Sequence, residues 1–166
     1  LLPPPPIIRI SPTRLSLAEV LMKIAKFKNL YQFTFLPYLF PINSYLYEEK
    51  DYFILIDIGT KYFIKYINKL INRKGKQIRY VILKHPHQDH IGGLDDLTDY
   101  YKYPKVFISN SDNRLLNCDF TVDKVDAQKR INGGFKTVET IPEILLEDGM
   151  KVGSLLIINT KGHTPG

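Results

Sequence analysis

The chain has 166 residues, 44% of them hydrophobic and 24% charged, with a formal net charge of +6. Those proportions describe an ordinary globular protein with a substantial core, and exclude a disordered or collagen-like chain. No apolar run reaches the ~18 residues of a membrane span, which argues against an integral membrane protein.

Residues 1–13 open with Leu-Leu-Pro-Pro-Pro-Pro, which favours an extended polyproline conformation and reads as a tether. Prolines also break the apolar helix that a signal peptide needs. The domain proper is expected over residues 14–166. Ser11-Pro12 can start a helix, predicted over residues 13–28, with Leu17, Val20, Leu21, Ile24 and Phe27 on its packed face. Lys23, Lys26 and Lys28 would lie on the other side.

From Tyr31 the period changes to two. Residues 31–35 alternate, and residues 44–47 and 52–56 read as strands joined by the polar turn Glu48-Glu49-Lys50-Asp51. The second of these is apolar throughout, the pattern of a strand buried on both faces. It ends in Asp57, a carboxylate that must be hydrogen-bonded, ion-paired or close to a metal if it is buried. Thr60 is placed to cap a helix whose stripe is Phe63, Ile64, Ile67, Leu70 and Ile71, with Gly75 at its end. Lys61, Lys65 and Lys69 follow one another on its solvated face.

A strand over residues 78–83 leads into Lys84-His85-Pro86-His87-Gln88-Asp89-His90-Ile91-Gly92-Gly93. Residues 94–101 then form a short helix whose Asp95, Asp96 and Asp99 are expected to face solvent. Residues 106–108 form another strand, with Ser109 or Asn110 capping the turn after it. Residues 110–140 carry little pattern beyond a loop at Gly133-Gly134. The single cysteine, Cys118, rules out an internal disulfide. It is expected to be a free buried thiol, in a reduced cytoplasmic compartment. Residues 144–146 and 155–158 read as strands around a Glu147-Asp148-Gly149 turn, and the last runs into Gly162-His163-Thr164-Pro165-Gly166.

Three of the four histidines fall within six residues, and the fourth is His163. In an extended segment, residues two apart point to one side, so His85 and His87 can converge on one ion. A turn after them can aim Asp89 and His90 at a second position. Imidazole and carboxylate suit zinc, and also iron or manganese. Three neutral imidazoles around one zinc would leave a position for water, whose pKa falls to roughly 7. A closed structural zinc site would want cysteines or a complete four-ligand set.

His85-x-His87-x-Asp89-His90 followed by Gly92-Gly93 resembles the signature of the metallo-β-lactamase-fold hydrolases. Leu55-Ile56-Asp57-Ile58-Gly59 and Asn43-Ser44-Tyr45-Leu46 resemble earlier strands of that family, and Gly162-His163-Thr164-Pro165-Gly166 its next metal-binding stretch. The resemblance implies an α+β fold, the α/β/β/α four-layer sandwich. It further implies His85, His87 and His163 on a first metal, Asp89 and His90 on a second, and Asp57 as a carboxylate that holds the motif. Asp89 would also orient the attacking water or pass a proton to the leaving group.

Two features depart from the family. Lys84 stands where Thr or Ser is usual. The family's bridging Asp and last His lie beyond the Gly-His-Thr-Pro-Gly stretch, and nothing follows Gly166. The expectation is a sandwich truncated after its first half, which would expose an apolar sheet face and favour homo-oligomers.

The function expected from these features is a zinc hydrolase of the broad glyoxalase-II-like group, acting on a small ester, thioester or lactone. An intact family member would hold two Zn2+, and this chain at most one firmly. The alternatives are a metal-dependent nuclease acting on RNA or DNA, which only the basic charge supports, and a catalytically inactive metal-binding fragment.

Overall fold

In a computed structural model, residues 21–101, 104–121 and 133–166 are described. The proline-rich tether and the first part of the expected helix lie outside them. Seven strands form one sheet in the order β1-β2-β3-β4-β5-β6-β7: Met22–Phe27, Leu30–Phe35, Ile42–Glu48, Tyr52–Ile56, Gln77–Ile82, Lys105–Ser109 and Ile144–Leu146. The first four are an antiparallel meander, and β4, β5, β6 and β7 run parallel. The parallel strands therefore deliver their C-terminal ends to one edge of the molecule, where loops are free to build a site.

β1 corrects the last part of the helix predicted over residues 13–28, because Met22 pairs with Phe35 and Phe27 with Leu30. Leu21, Ile24 and Phe27 have helical spacing, but the turn at Lys28 and Asn29, with Lys28 at φ 53°, folds the segment back on the aromatic strand β2. Ile24 and Phe27, placed on the packed face by the helical reading, are 50% and 59% exposed. Lys23 and Lys26 project from this outermost strand, where charged side chains discourage further strand pairing.

Helix α1 (Tyr62–Lys74) buries Phe63, Ile67, Leu70 and Ile71, the stripe read from its period. Its first residue has only a long bond to Thr60, whose Oγ1 accepts from the Tyr62 N–H at 3.4 Å, so the cap is weaker than expected. Gly75 closes it at φ 66°, its N–H donating to the Ile71 carbonyl. Three short helices follow: α2 (Gln88–Ile91), α3 (Leu94–Tyr100) and α4 (Asn110–Leu116). The core on this side joins α1 to α4 with Phe53, Leu55, Val81, Val106 and Ile108 of the sheet.

The intervening residues of β4, β5 and β6 point the other way. Ile54, Ile82 and Phe107 form a second core with Leu146 and Val152, as expected for strands buried on both faces. A hairpin of β8 (Lys151–Val152) and β9 (Leu155–Leu156) lies on that side. Strands 144–146 and 155–158 were expected to flank one turn. Instead, β7 joins the main sheet beside β6, and β9 pairs with β8 around Gly153, at φ 61°. Helices, main sheet and hairpin correspond to three layers of the α+β sandwich expected from sequence. Leu156 and Ile158 remain 55% and 68% exposed on the hairpin side.

Two further expectations change. Asp95 does not simply face solvent: its carboxylate accepts the N–H groups of Glu139 and Thr140 and the Thr140 hydroxyl. These bonds outweigh its partial burial and hold the carboxyl below its ordinary range. Cys118 is exposed, not buried, because it sits at φ 61° in the turn that ends α4, with its side chain directed away from the core. Among the described residues, no helix is long and apolar enough to cross a membrane.

Candidate metal centre

β4 and β5 lead directly into the site. At the end of β4, Asp57 turns the chain at φ 59°, a conformation that Asp and Asn tolerate better than other residues with a side chain. Its side chain is fully buried. Oδ1 accepts the Lys84 N–H at 2.9 Å, while Oδ2 accepts His90 Nδ1–H at 2.7 Å and faces Lys84 Nζ at 3.0 Å. Ser44 of β3 donates its hydroxyl to the Asp57 carbonyl at 2.8 Å. One carboxylate thus fixes the start of the histidine segment and the ring orientation of His90.

The two loops also meet backbone to backbone. The Ile58 N–H donates to the His90 carbonyl and the Gly93 N–H to the Ile58 carbonyl, both at 2.7 Å. A Cβ on Gly59 would overlap the carbonyl oxygen of Asp89, and one on Gly92 the carbonyl oxygen of Gly59. Glycine is required at both positions because the crossing backbones leave no room for a side chain.

The four imidazoles form one cluster. The His85 ring centroid lies 3.8 Å from that of His90 and 4.8 Å from those of His87 and His163. His87 Nδ1 and His163 Nε2 are 3.0 Å apart. One candidate ligand atom from each of His85, His87 and His163 falls within 4.8 Å of the others. Burial first, and then the neighbouring His90 and His87 rings, pushes His85 down to about 4. Burial and His163 push His87 down as well. Near pH 7 these rings are therefore neutral, the form that ligates a metal.

His90 Nε2, across the ring from the Nδ1–H bond to Asp57, faces Asp89 Oδ2 at 3.5 Å.

Residues 37–166 match the family described as the Metallo-beta-lactamase superfamily. The chain belongs to that superfamily. Among its relatives, the uncharacterized protein YobT of Bacillus subtilis (strain 168) is 41% identical over 146 residues, which cover 87% of this chain and 63% of that protein. A probable metallo-hydrolase of Methanocaldococcus jannaschii, MJ0888, is 31% identical over 133 residues, or 75% of this chain and 63% of that protein. The chain thus spans less than two thirds of the length of these curated relatives. In fold it resembles a metallo-β-lactamase of Cronobacter sakazakii, with TM-score 0.62, 23% identity, and coverage of 86% of this chain and 56% of that one.

In this metallo-β-lactamase-superfamily chain, the predicted site residues are distributed as follows. The structure gathers His85, His87 and His163, sets His90 against His85 and within 3.5 Å of Asp89, and bonds His90 to Asp57. Lys84 lies beside Asp57 and over the Tyr45 ring.

Several supporting residues were not read from sequence. Gly133 packs against the imidazole of His87, Phe135 forms a β-bridge with His87, and Gly134 accepts the Gln88 N–H. Lys136 donates to the Gly92 carbonyl at 2.8 Å. Only the Gly133-Gly134 pair carried a signal, and that signal marked a loop without saying what the loop touches. Asp112, fully buried in the first turn of α4, lay in a stretch with no legible pattern.

Proposed function

We propose that this chain carries the zinc site of a hydrolase acting on a small ester, thioester or lactone, in the manner of the glyoxalase-II-like group. The observation that carries this reading is the convergence of His85, His87 and His163, with His87 Nδ1 and His163 Nε2 3.0 Å apart. Two zinc-bound nitrogens at ~2.0–2.1 Å from the ion would lie about 3.3 Å apart in a tetrahedral site. The donor set fits: neutral imidazoles suit zinc, and the cluster contains no cysteine to close a structural site.

His85, His87 and His163 would hold this ion, with Asp89 and His90 at the neighbouring position. When bound, zinc supplies Lewis acidity and brings the pKa of a coordinated water to about 7. Asp89 has a half-exposed carboxylate on the rim of an open cleft of 640 Å³. There it would orient the attacking water or pass a proton to the leaving group. Asp57 keeps His90 in the tautomer with Nε2 bare. The cavity that His85 and His163 themselves line, of 410 Å³, is walled by Ile56, Ile82, Leu146, Leu155 and Leu156. That lining suits an apolar acyl group, and the volume suits a small molecule.

A panel of p-nitrophenyl esters, thioesters and lactones tests this reading, with wild-type protein and H87A, each loaded with zinc and then treated with a chelator. Hydrolysis is expected from wild type, with loss on chelation and in the variant. Wild-type protein that retains no zinc, or hydrolysis indifferent to H87A, would overturn it.

The second reading, a nuclease, rests on Lys61, Lys65 and Lys69, an exposed row that starts at the edge of the cleft beside Asp89 and runs along α1. Cleavage of RNA that weakens steeply with salt would support it over the first. Cytoplasmic action goes with either reading, since a lone exposed thiol suits a reducing compartment.

A further inference from the structure

Among the described residues two carboxylates are fully buried, Asp57 and Asp112. Asp57 is engaged by Lys84 and His90. Asp112 instead commits both oxygens to the segment that carries His163. Thr164 Oγ1 donates to Oδ2 at 2.9 Å, and the Gly166 N–H donates to Oδ1 at 3.2 Å. We propose that Asp112 is the positioning residue for His163, holding the backbone on its C-terminal side so that the imidazole stands against His87. The inference rests on the reading of His85, His87 and His163 as zinc ligands.

Three observations make Asp112 the anchor. It is itself immobile: α4 follows β6 directly, and Ser109 caps the helix by accepting the Asp112 N–H at 3.0 Å. The segment it grips has little other support. β9 ends at Leu156, residues 158–163 are exposed, and besides the contact of His163 with His87 the stretch is held by Asn159 N–H to Asp148 and Gly162 N–H to the Thr164 carbonyl. The grip is also tight, since a Cβ on Gly166 would overlap Ser109 Oγ and come within 2.7 Å of Asp112 Oδ2. A ligand on an exposed loop loses conformational freedom when it binds an ion, and fixing its neighbours beforehand removes part of that cost. Burial raises the Asp112 carboxyl while Thr164, Gly166 and Ser109 draw it back down, the balance of a buried acid kept for its hydrogen bonds.

A double-mutant cycle on zinc affinity, measured against a chromophoric chelator, separates positioning through His163 from general structural support. D112A is expected to lower zinc affinity about 10–100-fold in the wild-type background, and by less than about twofold once H163A is present. Cobalt(II)-loaded D112A and H163A should show the same change in visible spectrum, that of one lost imidazole. D112N, which keeps an acceptor for the Gly166 N–H, should recover part of the loss. T164V leaves the Asp112 carboxylate in place and should lose several-fold, so it serves if D112A does not fold. Equal losses from D112A with and without His163, or no loss at all, would overturn the inference. A wild-type chain that binds no zinc would instead overturn the reading of the site beneath it.

Discussion

Replacing Asp57 by Asn isolates the charge that holds the histidine motif. Asn tolerates the φ of 59° at this position, so the backbone gains no new strain. Its Oδ1 still accepts the Lys84 N–H. Its amide nitrogen, however, faces His90 Nδ1–H and Lys84 Nζ, placing donor against donor. Two charge-assisted hydrogen bonds of about 1.5–3 kcal/mol each are lost. Part of the loss is recovered, because the Lys84 side chain is 45% exposed and can turn to water. His90 can also swap tautomer and accept from the new amide. The net cost should be about 2–3 kcal/mol, or roughly 4–12 °C in Tm for a chain of this size. The tautomer swap moves the proton to Nε2 and removes that atom as a ligand. Metal affinity at the Asp89–His90 position should then fall about 10–100-fold. Urea unfolding in the presence of chelator measures the first effect, and metal titration of the folded protein the second. D57N with stability within about 0.5 kcal/mol of wild type, and unchanged metal uptake, would refute the argument that this carboxylate organises the motif.

At Gly59, G59A forces a Cβ into the Asp89 carbonyl and the Ile42 side chain. It should cost about 1–3 kcal/mol or more in thermal or urea unfolding and displace Asp89. Far from the site, Glu48 is bonded by Lys76, Lys74 and Tyr31, which outweigh its burial and hold its carboxyl down from 4.5 to about 2. Its folded pKa lies below the unfolded one, so its contribution is complete above pH 4.5 and is lost as pH falls toward 2. The full shift would be worth about 3 kcal/mol, which solvent around the partly exposed lysines reduces to about 1–2 kcal/mol. Wild type should therefore exceed E48Q in urea stability at pH 6 by that amount, and by much less near pH 2.5. Elemental analysis of the 166-residue chain should find at most one firmly held zinc, since Asp89 and His90 alone offer too few ligands for a second.

What could be read from the sequence was whatever local spacing controls. The α1 stripe, the alternation of β2, the all-apolar β4 and the histidine motif each announce themselves within a dozen residues, and all appear in the structure. Asp57 was legible because a carboxylate closing a buried strand demands a partner. Met22–Phe27 misled because its apolar residues fit a helical period, while the decision lay with the aromatic strand it pairs with and a two-residue turn. Asp112, Asp95 and the Gly133–Lys136 stretch were illegible for a related reason. Each acts on residues some 40 to 55 positions away in sequence, and no local period encodes such a contact.

The crossing of the two loops has a consequence for how the site can be watched. The amide hydrogens of Ile58 and Gly93 belong to no regular element, yet each is bonded across the crossing at 2.7 Å beneath residues with little room to part. In solvent exchange they should behave like amides of the central strands and not like loop amides. Breaking them requires the Asp57 turn and the histidine turn to separate, so their exchange rates report the integrity of the site directly. Two backbone protons, silent in any assay of turnover, thus become a gauge of whether the site is assembled before any ligand arrives.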